Sequence, residues 1–141
     1  MKLVIDSSVF ISHMGTNDEF TPTSQLFFKI LFENKEKVVI PTLVIAETLT
    51  VLKQQQHPNL QIIFKNFQDF DAIPLDMGLL EKLRGILLKS TVTLKASDLV
   101  IALTAKVADA VLISWDKRML TETSICPVLT PKQYIVKVKS N

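Results

Sequence analysis

Three short runs in this chain, residues 3–5 (LVI), 38–40 (VVI) and 110–113 (AVLI), are apolar at every position. A strand without apolar/polar alternation is buried on both faces, the condition of a strand inside a parallel sheet. Parallel neighbours need long crossovers, and the segments between these runs carry helical signals. The chain is therefore expected to be an α/β fold. Right-handed crossovers bring the carboxyl ends of all such strands to one edge. In open α/β sheets that edge is where ligands bind. The first run ends there abruptly in a carboxylate, Asp6.

Ser7 and Ser8 are placed to cap a short helix over residues 9–12, and 15–20 reads as a loop. Thr21 with Pro22 opens a helix running to about Asn34, since proline is favoured at the first helical position. Its Leu26, Phe27, Phe28, Ile30, Leu31 and Phe32 exceed one core stripe; most of this surface is expected in the core, with part of it a candidate partner interface. After the second strand, Pro41 and Thr42 begin a helix that lasts to residues 54–56. Ile45, Leu49 and Leu52 share one side of it, while Glu47 points nearly opposite, among Leu43, Val44 and Val51. A carboxylate in an apolar face is costly unless a cation, a metal or a hydrogen-bond donor meets it.

Further on, an amphipathic helix over 59–67 presents Leu60, Ile63, Phe64 and Phe67, and 71–75 reads as a strand that Pro74 confines to an edge. Asp76 caps a helix expected to bury Leu79, Leu80, Leu83, Ile86 and Leu87. A loop over 90–96 leads to a helix begun by Ser97 and Asp98, with Ile101, Ala102 and Ala105 on the Asp98 face and alanines allowing close approach to the sheet. The third apolar run ends in Ser114, Trp115 and Asp116, ahead of the basic pair Lys117 and Arg118. Val128 and Leu129 suggest a last short strand, and residues 134–139 alternate as an edge strand or an ordered tail would.

At 141 residues, 48% apolar and with no linker-like tract, residues 1–141 are expected to form a single domain. Too few apolar residues precede Asp6 for a signal-peptide core, and no stretch reaches membrane-span length; a cytoplasmic protein with no membrane contact is expected. Cys126 is the one cysteine, which excludes a disulfide framework and a Cys/His zinc cluster and suggests a core residue. His13 and His57 are expected at the surface. The net charge of +2 decides little by itself. Gathering several of the fourteen acidic residues into one pocket would leave the remaining surface basic enough to attract a phosphate backbone.

Taken singly, Asp6 and Asp116 read as helix caps, Asp98 as a first-turn residue complementing the helix dipole, and Glu47 as half of a salt bridge. Together, four carboxylates with a route to one edge repel one another unless positive charge is bound between them. An all-oxygen site of this kind suits Mg²⁺ or Mn²⁺.

The segments VIDSSVFI around Asp6, PTLVIAETLTVL around Glu47, KASDLVIALTA around Asp98 and LISWDKRM around Asp116 follow one another over nearly the whole chain. In these the sequence resembles the PIN-domain family, and in size its stand-alone toxin ribonucleases of the VapC type. The resemblance implies a three-layer α/β/α fold with a mostly parallel central sheet, and an endoribonuclease hydrolysing RNA phosphodiester bonds with Mg²⁺ or Mn²⁺. It implies Asp6, Glu47, Asp98 and Asp116 as the metal quartet, with Asp6 and Asp98 as direct ligands. Ser7 or Ser8, and Ser114, fall where the family often has a hydroxyl able to hold a metal-bound water, and Lys117 and Arg118 are candidates for the RNA backbone. A toxin of this type would form a homodimer and meet a cognate antitoxin, with the helices over 22–34 and after Asn59 as contact surfaces. Two departures stand out: Trp115 where a polar or basic residue is commoner, and Asp109-Ala110 in place of a glycine turn. Competing readings are a housekeeping nuclease without an antitoxin, a catalytically weak PIN-fold binding or assembly module, and a phosphatase using Asp6 as nucleophile. The last lacks a second aspartate, because Ser8 occupies its place.

Overall fold

The structure, a computed structural model, describes residues 1–141. Its five strands are β1 (Lys2–Ile5), β2 (Lys37–Pro41), β3 (Asp71–Ile73), β4 (Val111–Ile113) and β5 (Val128–Leu129). They form one sheet in the order β3-β2-β1-β4-β5, with every pairing parallel. The unbroken apolar runs fit this placement: Leu3, Val4 and Ile5 are fully buried in the central strand, and Leu112 and Ile113 beside it are equally closed off. The chain builds outward from β1 through β2 to β3, then crosses to β4 on the other side of β1. The order of winding reverses between β1 and β4, the switch point where doubly wound sheets open a crevice. Ile5 lies opposite Ile113 there, and the Asp6 amide donates to the Ile113 carbonyl (2.9 Å).

Eight helices complete the expected three-layer architecture: α1 (Ser7–Met14), α2 (Thr21–Glu33), α3 (Thr42–Gln54), α4 (Leu60–Phe67), α5 (Met77–Lys89), α6 (Ala96–Val107), α7 (Lys117–Thr121) and α8 (Pro131–Lys139). Helix α6 is buried without a break over its middle, Asp98 to Ala105, including the small residues Ala102 and Ala105. An aromatic core ties α1, α2, α4 and α8 together: Phe10 meets Phe67 edge-on at 4.9 Å, and Phe27 meets Tyr134 edge-on at 5.2 Å. Fully burying each such ring contributes roughly 1.5–3 kcal/mol.

Several expectations are corrected. Residues 134–139 are not a strand but part of α8, which opens with a capping box: the Gln133 amide donates to Thr130 Oγ1 and the Gln133 side chain accepts from the Thr130 amide, with Pro131 in the first turn. Helix α1 begins at Ser7, so Ser7 and Ser8 lie inside it rather than capping it. On α5 only Leu79 is buried, whereas Leu80 and Leu87 are exposed, because this helix packs chiefly against α6 alone. Phe64 on α4 is exposed while Ile63 and Phe67 fill the core. His13 is half-buried, its ring 4.6 Å from that of Phe28, because α1 turns this face toward α2; burial holds its pKa below the usual value.

Candidate active site

Asp6 ends β1 and precedes α1, yet its side chain makes no capping hydrogen bond. It is 4% exposed, and its Oδ2 instead accepts from Ser8 Oγ (2.8 Å) and Ser114 Oγ (2.9 Å). The same two hydroxyls accept from the main chain beyond β4: the Trp115 amide donates to Ser8 Oγ (3.1 Å) and the Asp116 amide to Ser114 Oγ (3.0 Å). The serine pair therefore fixes the Asp6 carboxylate to the turn that carries Asp116. Burial raises the Asp6 pKa against these hydrogen bonds, and Asp116 adds to the rise.

Asp98 lies in the first turn of α6, 5% exposed, and its Oδ2 is buried without a hydrogen-bond partner. Burial raises its pKa, Lys95 opposes this, and the Asp116 and Asp6 charges add to it. Glu47 projects from α3 as a half-buried residue, with Ser7 Oγ at 3.5 Å from Oε1, the outer limit of a hydrogen bond. It has no ion pair: the salt bridges of the chain join the N-terminus to Glu36 and Arg84 to Glu81. Its pKa too is raised, by burial first and then by Asp6 and Asp98. Asp116 is the one member whose capping reading holds, since Oδ1 accepts from the Arg118 amide (2.8 Å) at the start of α7.

The four carboxylates thus share one electrostatic neighbourhood, and α1, α6 and α7 all begin at it with their partly positive N-termini. No three ligand-type side chains close on a common point, so the quartet is gathered at Coulombic rather than ligating range. The chemistry of these donors, though not their present spacing, suits a hard divalent cation. Every donor is oxygen, one buried carboxylate oxygen lacks a partner, and three carboxyls are destabilised as anions by burial and by one another. None of the four best-defined concavities is lined by a quartet residue; Asp6 and Asp98 are buried, and Glu47 and Asp116 are partly exposed.

Of the basic pair, Arg118 acts on Asp98, while Lys117 is exposed and makes no contact with the quartet. The cation with the larger effect was missed by the sequence reasoning. Lys95 at the N-cap position of α6 lowers the pKa of both Glu47 and Asp98, and its only signal was its place three residues ahead of Asp98. Trp115 turns its side chain away toward α2: Nε1 donates to Ser24 Oγ (2.8 Å) and the indole stacks on Phe20 at 4.5 Å. The expected glycine turn before β4 is made by Asp109 in the left-handed region (φ 52°), which Asp tolerates better than most residues.

A family model described as PIN domain matches residues 3–124. Solved structures of similar fold include VapBC2 of Rickettsia felis bound to a promoter DNA fragment, 15% identical over 92% of this chain and 98% of that one, with a TM-score of 0.68. Another is VapC20 of Mycobacterium tuberculosis, a sarcin-ricin loop cleaving toxin, 14% identical over 86% and 95% of the two chains (TM-score 0.68). A toxin-antitoxin complex from Klebsiella pneumoniae is 18% identical over 92% and 97% (TM-score 0.69). At such identities the likeness is one of fold. No curated protein sequence matches the chain. The family match, in contrast, runs through four of the five strands, the switch point and all four carboxylates, and by it the chain belongs to the PIN-domain family.

Proposed function

We propose that this chain is a metal-dependent endoribonuclease that hydrolyses RNA phosphodiester bonds, and that it is the toxin of a toxin-antitoxin pair. The observation that carries the catalytic reading is the buried, unpartnered Asp98 Oδ2 within a carboxylate cluster whose members raise one another's pKa. Asp6 and Asp98 would hold Mg²⁺ or Mn²⁺ directly, with Asp116 and Glu47 completing the site directly or through water. Such an ion, when bound, supplies an activated water and neutralises charge on the phosphate. Ser8 and Ser114 keep Asp6 oriented, and Ser7 is within reach of Glu47. Lys95 and Arg118 place positive charge beside the carboxylates, where an RNA phosphate would otherwise be repelled.

The toxin reading is supported by the similar fold of structures solved as toxin-antitoxin complexes. A partner chain, antitoxin or second copy, would be expected on the aromatic groove of about 180 Å³ between α1, α2 and α4. Phe32 in its lining is exposed, as are Ile62 and Phe64 elsewhere on α4. No helix is long and apolar enough to cross a membrane.

The test is cleavage of a panel of structured and unstructured RNAs with Mg²⁺, Mn²⁺ or EDTA, comparing wild type with Asp6→Asn and Asp98→Asn. Metal-dependent cuts lost in both variants are expected. Equal behaviour of all three proteins, with no metal retained by the wild type, refutes the catalytic reading and favours a binding module.

A further inference from the structure

Away from the carboxylates, a groove of about 590 Å³ runs between the carboxyl-terminal halves of α5 and α6 and the approach to β5. Lys82, Lys89 and Lys106 line it with Ser90, Ser124 and Gly85, over a floor completed by four apolar side chains from α5, α6 and the approach to β5, and no carboxylate lines it. None of the three lysines is in an ion pair. Lys89 and Lys106 stand in the last turns of their helices, where they also offset the helix dipoles. Lys82 sits in the second turn of α5, where no such role exists. The Ser90 hydroxyl is turned back to the Ile86 carbonyl (3.0 Å), and Ser124 Oγ donates to Glu122, an acidic group beside the groove.

Gly85 is the telling residue. It lies inside α5, midway between Lys82 and Lys89, with an ordinary helical backbone. A Cβ built on it meets no atom within 4 Å. Glycine is the poorest helix former after proline, and neither its backbone angles nor its packing in this protein require it here. Its effect is to leave the groove floor bare between two lysines, so that an anionic chain can lie close to the helix.

We infer that this groove is a second RNA-binding site, which holds the phosphate backbone of the substrate away from the scissile bond. The inference rests on the nuclease reading. It adds that the RNA must extend well past the cut, because Asp98 and Lys106 are eight residues, about 12 Å, apart along α6. Outside the quartet the chain carries ten acidic residues against sixteen basic ones, so the field over this surface favours a polyanion.

The experiment measures binding in EDTA, where no cleavage occurs, by the anisotropy of a labelled RNA hairpin long enough to span both sites. A short oligonucleotide covering only the carboxylate rim serves as the comparison. Wild type is compared with the triple variant Lys82→Gln, Lys89→Gln, Lys106→Gln and with Gly85→Leu, which fills the groove without altering charge and favours the helix. Thermal melts verify that both variants fold. The triple variant is expected to bind the hairpin roughly tenfold more weakly or worse, with the slope of log K against log salt reduced by about 2. Gly85→Leu is expected to weaken hairpin binding with little change in slope, and neither variant to alter binding of the short oligonucleotide. If wild type binds and cleaves RNA while both variants match its affinity and slope, the groove is refuted and the nuclease reading stands. A wild type that cleaves RNA with Mg²⁺ or Mn²⁺ yet binds no hairpin in EDTA also refutes the groove, whereas a wild type that neither binds the hairpin in EDTA nor cleaves RNA with metal overturns both.

Discussion

Asp98→Asn should make the metal-free protein more stable while removing its response to metal. The wild-type side chain is 5% exposed, its Oδ2 has no partner, and Asp6 and Asp116 repel it. An unsatisfied buried polar group costs about 1–3 kcal/mol and a charged one more; the isosteric amide stays polar, so it recovers the excess due to the charge, about 1 kcal/mol or more, without opening a cavity. For a chain of this length 1 kcal/mol moves the melting temperature by about 3–4 °C, so in EDTA the variant is expected to melt roughly 3–10 °C above wild type. Wild type should recover the deficit on binding an ion, by about 2.7 kcal/mol when Mg²⁺ or Mn²⁺ is present at 100 times its Kd. Paired melts with EDTA and with saturating metal supply all four numbers. The expected pattern is a large metal shift in wild type, almost none in Asp98→Asn, and similar temperatures for loaded wild type and the metal-free variant. A variant that melts below wild type in EDTA, or that keeps the full metal shift, would falsify the view that Asp98 is a destabilised anion held for a cation.

The raised carboxyls also set a pH dependence. Asp6, Glu47 and Asp98 bind protons more tightly folded than unfolded, so their anionic forms progressively destabilise the metal-free fold as pH rises from the ordinary carboxylate range near 4 through the raised values. His13, held below its usual value, works oppositely and costs stability as pH falls below about 6.5. The diagnostic quantity is therefore the difference in melting temperature between wild type and Asp98→Asn, in which His13 cancels; it should widen with pH, and a difference that stays flat counts against the shift. Ser114→Ala deletes a buried donor to Asp6 and leaves the Asp116 amide without its acceptor, so urea titration should show a loss of about 1–3 kcal/mol, together with weakened metal binding. Gly85→Ala should stabilise α5 by about 0.5–1 kcal/mol, since the added methyl meets nothing; destabilisation in the same titration would mean that the glycine has a structural role.

The site was legible in the sequence because its residues are of the wrong kind for their surroundings. Asp6 and Asp116 follow apolar strands, Glu47 interrupts an apolar helix face, and Asp98 opens a helix buried almost throughout. Less was legible where one pattern fits two structures. The segment YIVKVK has a period of two, yet Pro131, Tyr134, Ile135 and Val138 also follow helical spacing, and the Thr130 to Gln133 capping box decides for the helix. Helix α5 carries apolar residues around more than half its circumference, so periodicity cannot say that Leu79 is inside and Leu80 and Leu87 are outside. Lys95 went unnoticed because a lysine before a helix is ordinary until tertiary structure sets two carboxylates beside it.

Trp115 shows how a large departure in a motif can leave the hydrogen bonds around Asp6 intact. What the carboxylate cluster takes from position 115 is a backbone N–H, donated to Ser8 Oγ, and every residue except proline offers one. The side chain is free to face elsewhere, and here it reaches Ser24, whose hydroxyl lies 2.6 Å from that of Ser12 on α1, while its ring packs on Phe20. Phe20 in turn is held by a local turn in which its amide donates to Asp18 Oδ1. The other end of this loop is fixed by the Thr16 amide, which donates to the Gln55 side chain. An exposed polar side chain at 115 would leave the indole-lined junction between the strand end, α1 and α2 unfilled. The tryptophan therefore fastens the 15–20 loop beside the quartet at no cost to Asp6, and the sequence variation falls on the scaffold around the site rather than on the carboxylates themselves.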